Sequence, residues 1–135
     1  MTISSVEDIL LEHGVKPTPQ RVVIAKFMLE THAHPTADEV LQAVENKLPV
    51  ALSRATVYNT LNTLVQAGVI REVVTEADRT RYDANMTEHH HFVDVKTGKI
   101  LDIPADRIAH LKPMLGDQFK VHSYQITFFG ETKDQ

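Results

Sequence analysis

The chain has 135 residues, 42% hydrophobic and 24% charged, with a formal net charge of −4 and no cysteine. This allows one compact domain or two small ones with an apolar core, and it argues against a generic polyanion binder, a disulfide framework or a thiolate metal cage. No apolar run approaches the roughly 20 residues of a membrane span, and the acidic, amphipathic start MTISSVEDILLEHG is unlike a secretory leader, so a cytoplasmic location without membrane contact is expected.

The elements follow in chain order. Ser4-Ser5-Val6-Glu7 fits a capping box, and Val6, Ile9 and Leu10 recur at helical spacing until Gly14. Thr18 as N-cap and Pro19 as first helical residue start a second helix, with Val23, Ile24, Phe27 and Met28 as its stripe. Thr36-Ala37-Asp38-Glu39 opens a third helix carrying Val40, Leu41, Val44 and Leu48, which Pro49 closes. Ser53 caps a fourth, buried through Val57, Leu61, Leu64 and Val65 and ended by Gly68. Val69–Val74 and Thr80–Asp83 read as strands around Thr75-Glu76-Ala77-Asp78. Helices followed by a β-hairpin give the order of a winged helix, with the third and fourth helices as the helix-turn-helix pair.

Residues 84–88 read as a linker between a domain over 1–83 and a second over 89–135. The second reads strand (His89–Val95), strand (Lys99–Ile103), helix (about Asp106–Leu115) and strand (Lys120–Phe129). The fold class is therefore α+β: a winged helix-turn-helix domain followed by a small α/β domain. The latter has little apolar material of its own and would gain stability by pairing with a second copy. The final ETKDQ reads as frayed.

Chemistry concentrates in RYDANMTEHHHFVDVKTGKILD, residues 81–102. On a strand, His89 and His91 share one face and His90 takes the other. A two-residue loop at Thr97-Gly98 sets Asp102 opposite Val93, on the face of His89 and His91 and diagonal to His91. A three-residue loop would turn it away. Two imidazoles with Asp83 and Asp102 suit iron(II), manganese(II) or zinc. A polar hairpin with exposed histidines is the alternative, and three consecutive histidines flanked by carboxylates favour metal. His90, with Glu88 or His122, marks a weaker second site. His13, His32 and His110 read as surface or packing residues.

The fourth helix exposes Arg54, Thr56, Tyr58, Asn59 and Asn62, whose donors and apolar edges suit contacts to bases and phosphates. A solvated polar face is the competing reading. Residues 1–82 hold eight Lys/Arg against ten Asp/Glu, so only local clustering of Lys16, Arg21, Arg54, Arg79 and Arg81 supplies a positive face. Such binding is modest and strongly salt-dependent.

The segments Thr18-Pro19-Gln20-Arg21, His34-Pro35-Thr36-Ala37 and Ser53-Arg54-Ala55-Thr56-Val57-Tyr58 occur together, in order, with Arg81-Tyr82-Asp83, His89-His90-His91 and Gly98-Lys99-Ile100-Leu101-Asp102. With these the chain resembles the ferric uptake regulator superfamily from about Gly14 to Gly130. The resemblance implies a homodimeric, metal-dependent transcriptional regulator that binds palindromic operator DNA. It implies the regulatory ligands His34, Asp83, His89, His91 and Asp102, with iron(II) or manganese(II) as the metal and zinc accepted in vitro. Lys16, Arg21, Arg54, Thr56, Tyr58 and Asn59 are the expected DNA contacts. Asp102 resembles the peroxide-sensing branch, where the iron-uptake branch carries Glu; His34 and His91 are then the oxidation-sensitive ligands. The triple histidine is also similar to the iron- and haem-responsive regulators. Many members hold a structural zinc with two Cys-x-x-Cys pairs. Here the first pair falls at Asp94 and Thr97 and the second would follow Gly130, so no cysteine-bound zinc is expected and the dimer must rely on strands such as Ile126–Phe129. The rival class is a non-haem iron enzyme, and a metal buffer is a third.

Overall fold

A computed structural model describes residues 1–135 except Val50, Ala77, Asp78, Glu88, residues 109–114, Ser123 and residues 134–135. It divides into two compact units, Met1–Met86 and Thr87–Gln135.

The first unit holds α1 (Ile3–Glu12), α2 (Pro19–Glu30), α3 (Ala37–Val44), α4 (Arg54–Gln66) and the antiparallel hairpin β1 (Arg71–Glu76) and β2 (Arg79–Asp83). Local chemistry sets most helix starts. Thr18 accepts the Arg21 amide and Pro19 follows it; Ser53 accepts the Thr56 amide. Thr36 and Glu39 exchange a reciprocal capping box, the Thr36 amide meeting Glu39 Oε1 at 2.9 Å. That amide holds the Glu39 carboxyl below its ordinary range despite its partial burial. Thr36→Ala is expected to cost about 1 kcal/mol in chemical denaturation, the usual loss of an N-cap.

Four local expectations are corrected. The first helix starts from Thr2 rather than Ser4, because Thr2 Oγ1 takes the Ser5 amide at 3.1 Å. On α2 the buried residues are Val22, Ile24, Ala25 and Met28, with Val23 and Phe27 only partly buried. This helix packs against α1, α3 and α4, so no single stripe describes it. α3 stops at Val44 rather than near Leu48, its exit tightened by the Lys47 amide on the Val44 carbonyl at 2.9 Å. The first strand begins at Arg71 rather than Val69. Gly68, at φ +82°, turns the chain so that the Val69 amide returns to the Leu64 carbonyl at 2.9 Å. Val69 and Ile70 are therefore buried at the helix exit. The core unites them with Val6, Leu10, Val40, Val57 and Leu61.

The second unit is a three-stranded sheet of order β4-β3-β5, with β3 (His89–Asp94) central. β4 (Ile100–Pro104) pairs with it antiparallel and β5 (Thr127–Gly130) parallel. Residues 105–108 form a 3₁₀ turn where the helix was expected; residues 109–114 of that helix, including His110, lie outside the described residues. The last strand is also shorter than expected. The Ile126 amide donates to His90 Nδ1 at 2.9 Å instead of to a neighbouring strand, and ladder pairing with β3 begins at Thr127.

The β3–β4 register differs from the two-residue loop. Asp94 pairs with Lys99, leaving Val95-Lys96-Thr97-Gly98 as a four-residue loop with Gly98 at φ +76°. Asp102 therefore sits directly opposite His91 rather than opposite Val93. Because the loop changes by two residues, Asp102 keeps its face. Asp94 organises the loop: its Oδ1 accepts the Lys96 amide at 2.9 Å and the Thr97 amide at 3.3 Å. Among the described residues, Val93 is the one apolar side chain of this unit that is buried, while Leu101, Leu115, Phe119, Phe128 and Phe129 are exposed.

Candidate metal centre and nucleic-acid face

In the first unit, His34 and Asp83 lie far apart in sequence, with no local reason to meet. The meeting is arranged by backbone pairing between the segment before α3 and β2. The Tyr82 amide donates to the Pro35 carbonyl at 2.9 Å, and Thr36 bridges Arg81 antiparallel. Arg81 reinforces it, donating from Nη1 to the His34 carbonyl at 2.9 Å and facing Glu39 Oε1 at 3.3 Å. His34 Nε2 then lies 3.3 Å from Asp83 Oδ2, and both residues are buried. The other Asp83 oxygen accepts the Asn85 amide at 2.9 Å, which orients the carboxylate.

In the second unit, strand alternation puts His89 and His91 on one face, their rings edge to face at 4.7 Å between centroids. Asp102 projects from β4 onto the same face. Its Oδ1 lies 3.5 Å from Nε2 of each histidine. His89 Nδ1 meets the Thr87 carbonyl at 2.6 Å. A carbonyl only accepts, so this contact leaves the proton on Nδ1 and aims the Nε2 lone pair at the face shared with Asp102. Two imidazole nitrogens around one carboxylate oxygen fit a divalent first-row metal by donor type. Within the first unit, the His34 imidazole and the Asp83 carboxylate are donors of the same class, and the sequence contains no cysteine.

His90 is placed differently. Its ring stacks on Tyr124 at 5.1 Å, and its Nδ1 is occupied by the Ile126 amide. His122 is exposed, and Glu88 lies outside the described residues.

On α4, Arg54, Tyr58, Asn59 and Asn62 are exposed and Thr56 partly so. Tyr58 does not bury against a neighbouring helix; the Arg54 guanidinium lies 5.9 Å from its ring centroid. Lys16 is exposed beside Arg21, whose Nη1 donates to the Lys16 carbonyl at 3.0 Å. Arg21, Thr56 and Asn59 line a polar cleft of about 290 Å³ with Thr18, Gln20, Thr60 and Thr63. Gln20 and Thr63 are additions that the sequence reading of DNA contacts lacked; Gln20 follows the Thr18-Pro19 helix start. The expected basic cluster is thinner than its count. Arg81 is turned onto His34 and Glu39, and Arg54 pairs with Asp38 at 2.8 Å.

Among the described residues no helix is long and apolar enough to cross a membrane. Residues 12–129 match the description of the ferric uptake regulator family. The chain is 34% identical over 128 residues to the peroxide-responsive repressor of Staphylococcus epidermidis, covering 93% of this chain and 84% of that one. It superposes on the ferric uptake regulator of Francisella tularensis with iron at a TM-score of 0.77 and 26% identity, covering 89% of this chain and 93% of that one. The Campylobacter jejuni peroxide stress regulator aligns at a TM-score of 0.68 and 26% identity, covering 100% and 98%.

Proposed function

The chain belongs to the ferric uptake regulator family and is a transcription regulator rather than an enzyme, and on that premise we propose that it is a homodimeric repressor whose affinity for palindromic operator DNA is set by iron(II) or manganese(II) and lost when peroxide oxidises a ligand histidine. The observation that carries the reading is the pair of Nε2 atoms at 3.5 Å from one Asp102 oxygen, matched by the His34–Asp83 pair in the winged-helix unit. All five side chains would hold one ion. An ion bonded to both sets would fix the angle between the units, and with it the spacing of two recognition helices. Metal then raises DNA affinity by population shift without touching DNA.

Iron(II), if held by these residues, would supply the electrons that activate peroxide, whereas manganese(II) would not. His34 and His91 would be the histidines that take the oxygen; both are buried beside carboxylates. Peroxide sensing is also the activity for which the staphylococcal relative is named. The homodimer is supported by the exposed Leu101, Phe128 and Phe129 on a unit whose own apolar core is small. On the DNA side, Lys16, Arg21, Arg54, Thr56, Tyr58 and Asn59 carry the contacts, joined by Gln20 and Thr63 from the polar cleft.

The test is binding to a palindromic A/T-rich duplex by metal-free, manganese-loaded and iron-loaded protein, the last with and without hydrogen peroxide. The expected result is binding with either metal, lost only for iron plus peroxide, with one oxygen atom added to a peptide containing His34 or His91. Metal-dependent binding indifferent to peroxide would instead leave a plain metal-responsive repressor. Equal binding with and without metal would overturn the reading.

A further inference from the structure

The recognition helix begins with a neutralised charge. Arg54, the first residue of α4, places Nη2 at 2.8 Å from Asp38 Oδ2, and its guanidinium also lies 5.9 Å from the Tyr58 ring centroid. Asp38 is the second residue of α3, where the positive end of the helix favours a carboxylate. It is not needed to close that helix start, since Glu39 makes the capping box and also faces Arg81. Both members of the pair are well exposed, with 65% of the Arg54 and 54% of the Asp38 side chain accessible. A DNA phosphate would therefore meet Arg54 already holding a carboxylate from its own fold, in a unit where acidic residues outnumber basic ones.

We propose that Asp38 is a specificity-determining residue that competes with DNA phosphate for Arg54. This rests on the reading of α4 as the DNA-contacting helix. Non-specific duplex offers Arg54 little besides phosphate charge, and phosphate charge supplies nearly all non-specific affinity. The Asp38 carboxylate subtracts from that term twice, by holding the guanidinium and by repelling the phosphate. A cognate half-site adds base contacts through Tyr58 and Asn59 that do not depend on the pair. Asp38 thus lowers affinity for random DNA more than for an operator and widens the ratio between them.

The experiment compares wild type, Asp38→Asn, Arg54→Ala and the double variant, all manganese-loaded, on a palindromic A/T-rich duplex and on a random-sequence duplex across a salt series. Asp38→Asn is expected to tighten random-duplex binding roughly two- to fivefold per protomer, the range of an exposed ion pair, and to steepen the salt dependence by up to about one unit. The gain on the palindrome is expected to be smaller. Most of the random-duplex gain should vanish in the Arg54→Ala background, and the thermal midpoint of Asp38→Asn should fall by no more than a few degrees, the loss of one exposed charge in the first turn of a helix. An unchanged or weaker affinity of Asp38→Asn for random duplex, or an equal gain with and without Arg54, overturns the inference while leaving wild-type DNA binding intact. Failure of wild type itself to bind either duplex overturns the reading of α4, and the inference with it.

Discussion

Asp102→Ala is expected to lower affinity for manganese(II) by at least about a hundredfold and to abolish metal-dependent DNA binding while leaving the metal-free fold intact. The reason is geometric. One Asp102 oxygen lies 3.5 Å from both His89 Nε2 and His91 Nε2, so its removal leaves two imidazoles with no carboxylate between them. Loss of residues that only support a ligand typically costs ten- to a hundredfold in metal affinity, and a direct ligand sets a floor above that. The metal-free protein should tolerate the change within about 0.5 kcal/mol, because Asp102 is exposed at the sheet surface. The measurements are isothermal titration with manganese(II) and the metal-induced rise in thermal midpoint, which mass action links to affinity. His90→Ala provides the contrast. It strips the partner from the Ile126 amide and the stack from Tyr124, so it should cost stability and spare manganese affinity. A normal metal-induced rise in Asp102→Ala would remove Asp102 from the ligand set.

Asp94→Ala is expected to lower the thermal midpoint of the metal-free protein by about five degrees or more. Asp94 stands where the first cysteine of a zinc-binding pair falls in many relatives of this family. Its carboxylate takes the Lys96 and Thr97 amides on one oxygen and the Thr132 hydroxyl at 3.4 Å on the other. The Val95 amide bonds the Gly130 carbonyl at 2.9 Å, and Lys96 faces Glu131 at 3.7 Å. One side chain thus ties the β3–β4 loop to the segment after β5 without a metal. Burial pushes the Asp94 carboxyl upward, but the amides of Lys96 and Thr97 and the contacts from Thr132 outweigh it and hold the acid below its ordinary value of 3.8. The sign follows. A carboxyl depressed in the folded state contributes its full stabilisation above the ordinary value and loses it as pH falls through the lower, folded-state value. The gap between wild type and Asp94→Asn should therefore be constant near neutrality and narrow in strong acid. An Asp94→Ala midpoint equal to that of wild type would contradict this account.

The local features were legible because their causes lie within a few residues. Thr18-Pro19, Thr36 with Glu39, and Ser53 mark helix starts whose hydrogen bonds span three positions. Gly68 marks the exit of α4 by the backbone it permits. The shared face of His89, His91 and Asp102 is the same for a loop of two or four residues, since strand alternation has a period of two. What misled was also local. The apolar spacing of α2 suggested one stripe for a helix that has three helical neighbours, and Ser4 was the more conspicuous cap beside Thr2.

The sequence by itself determined the residue types available for chemistry: imidazole and carboxylate without thiol, three consecutive histidines on alternating faces, and a polar helix face bearing Arg54, Tyr58 and Asn59. Only the tertiary structure decided their employment. It set Asp102 directly across from His91, gave His90 to the Ile126 amide, turned Arg81 onto the His34 carbonyl and closed Asp38 on Arg54. Those pairings span 11 residues in the hairpin and 36, 47 and 16 in the others. Capping and alternation act through the adjacent backbone. A partner that distant is chosen by packing and by which buried polar group would otherwise go unmet, and neither is written in local order.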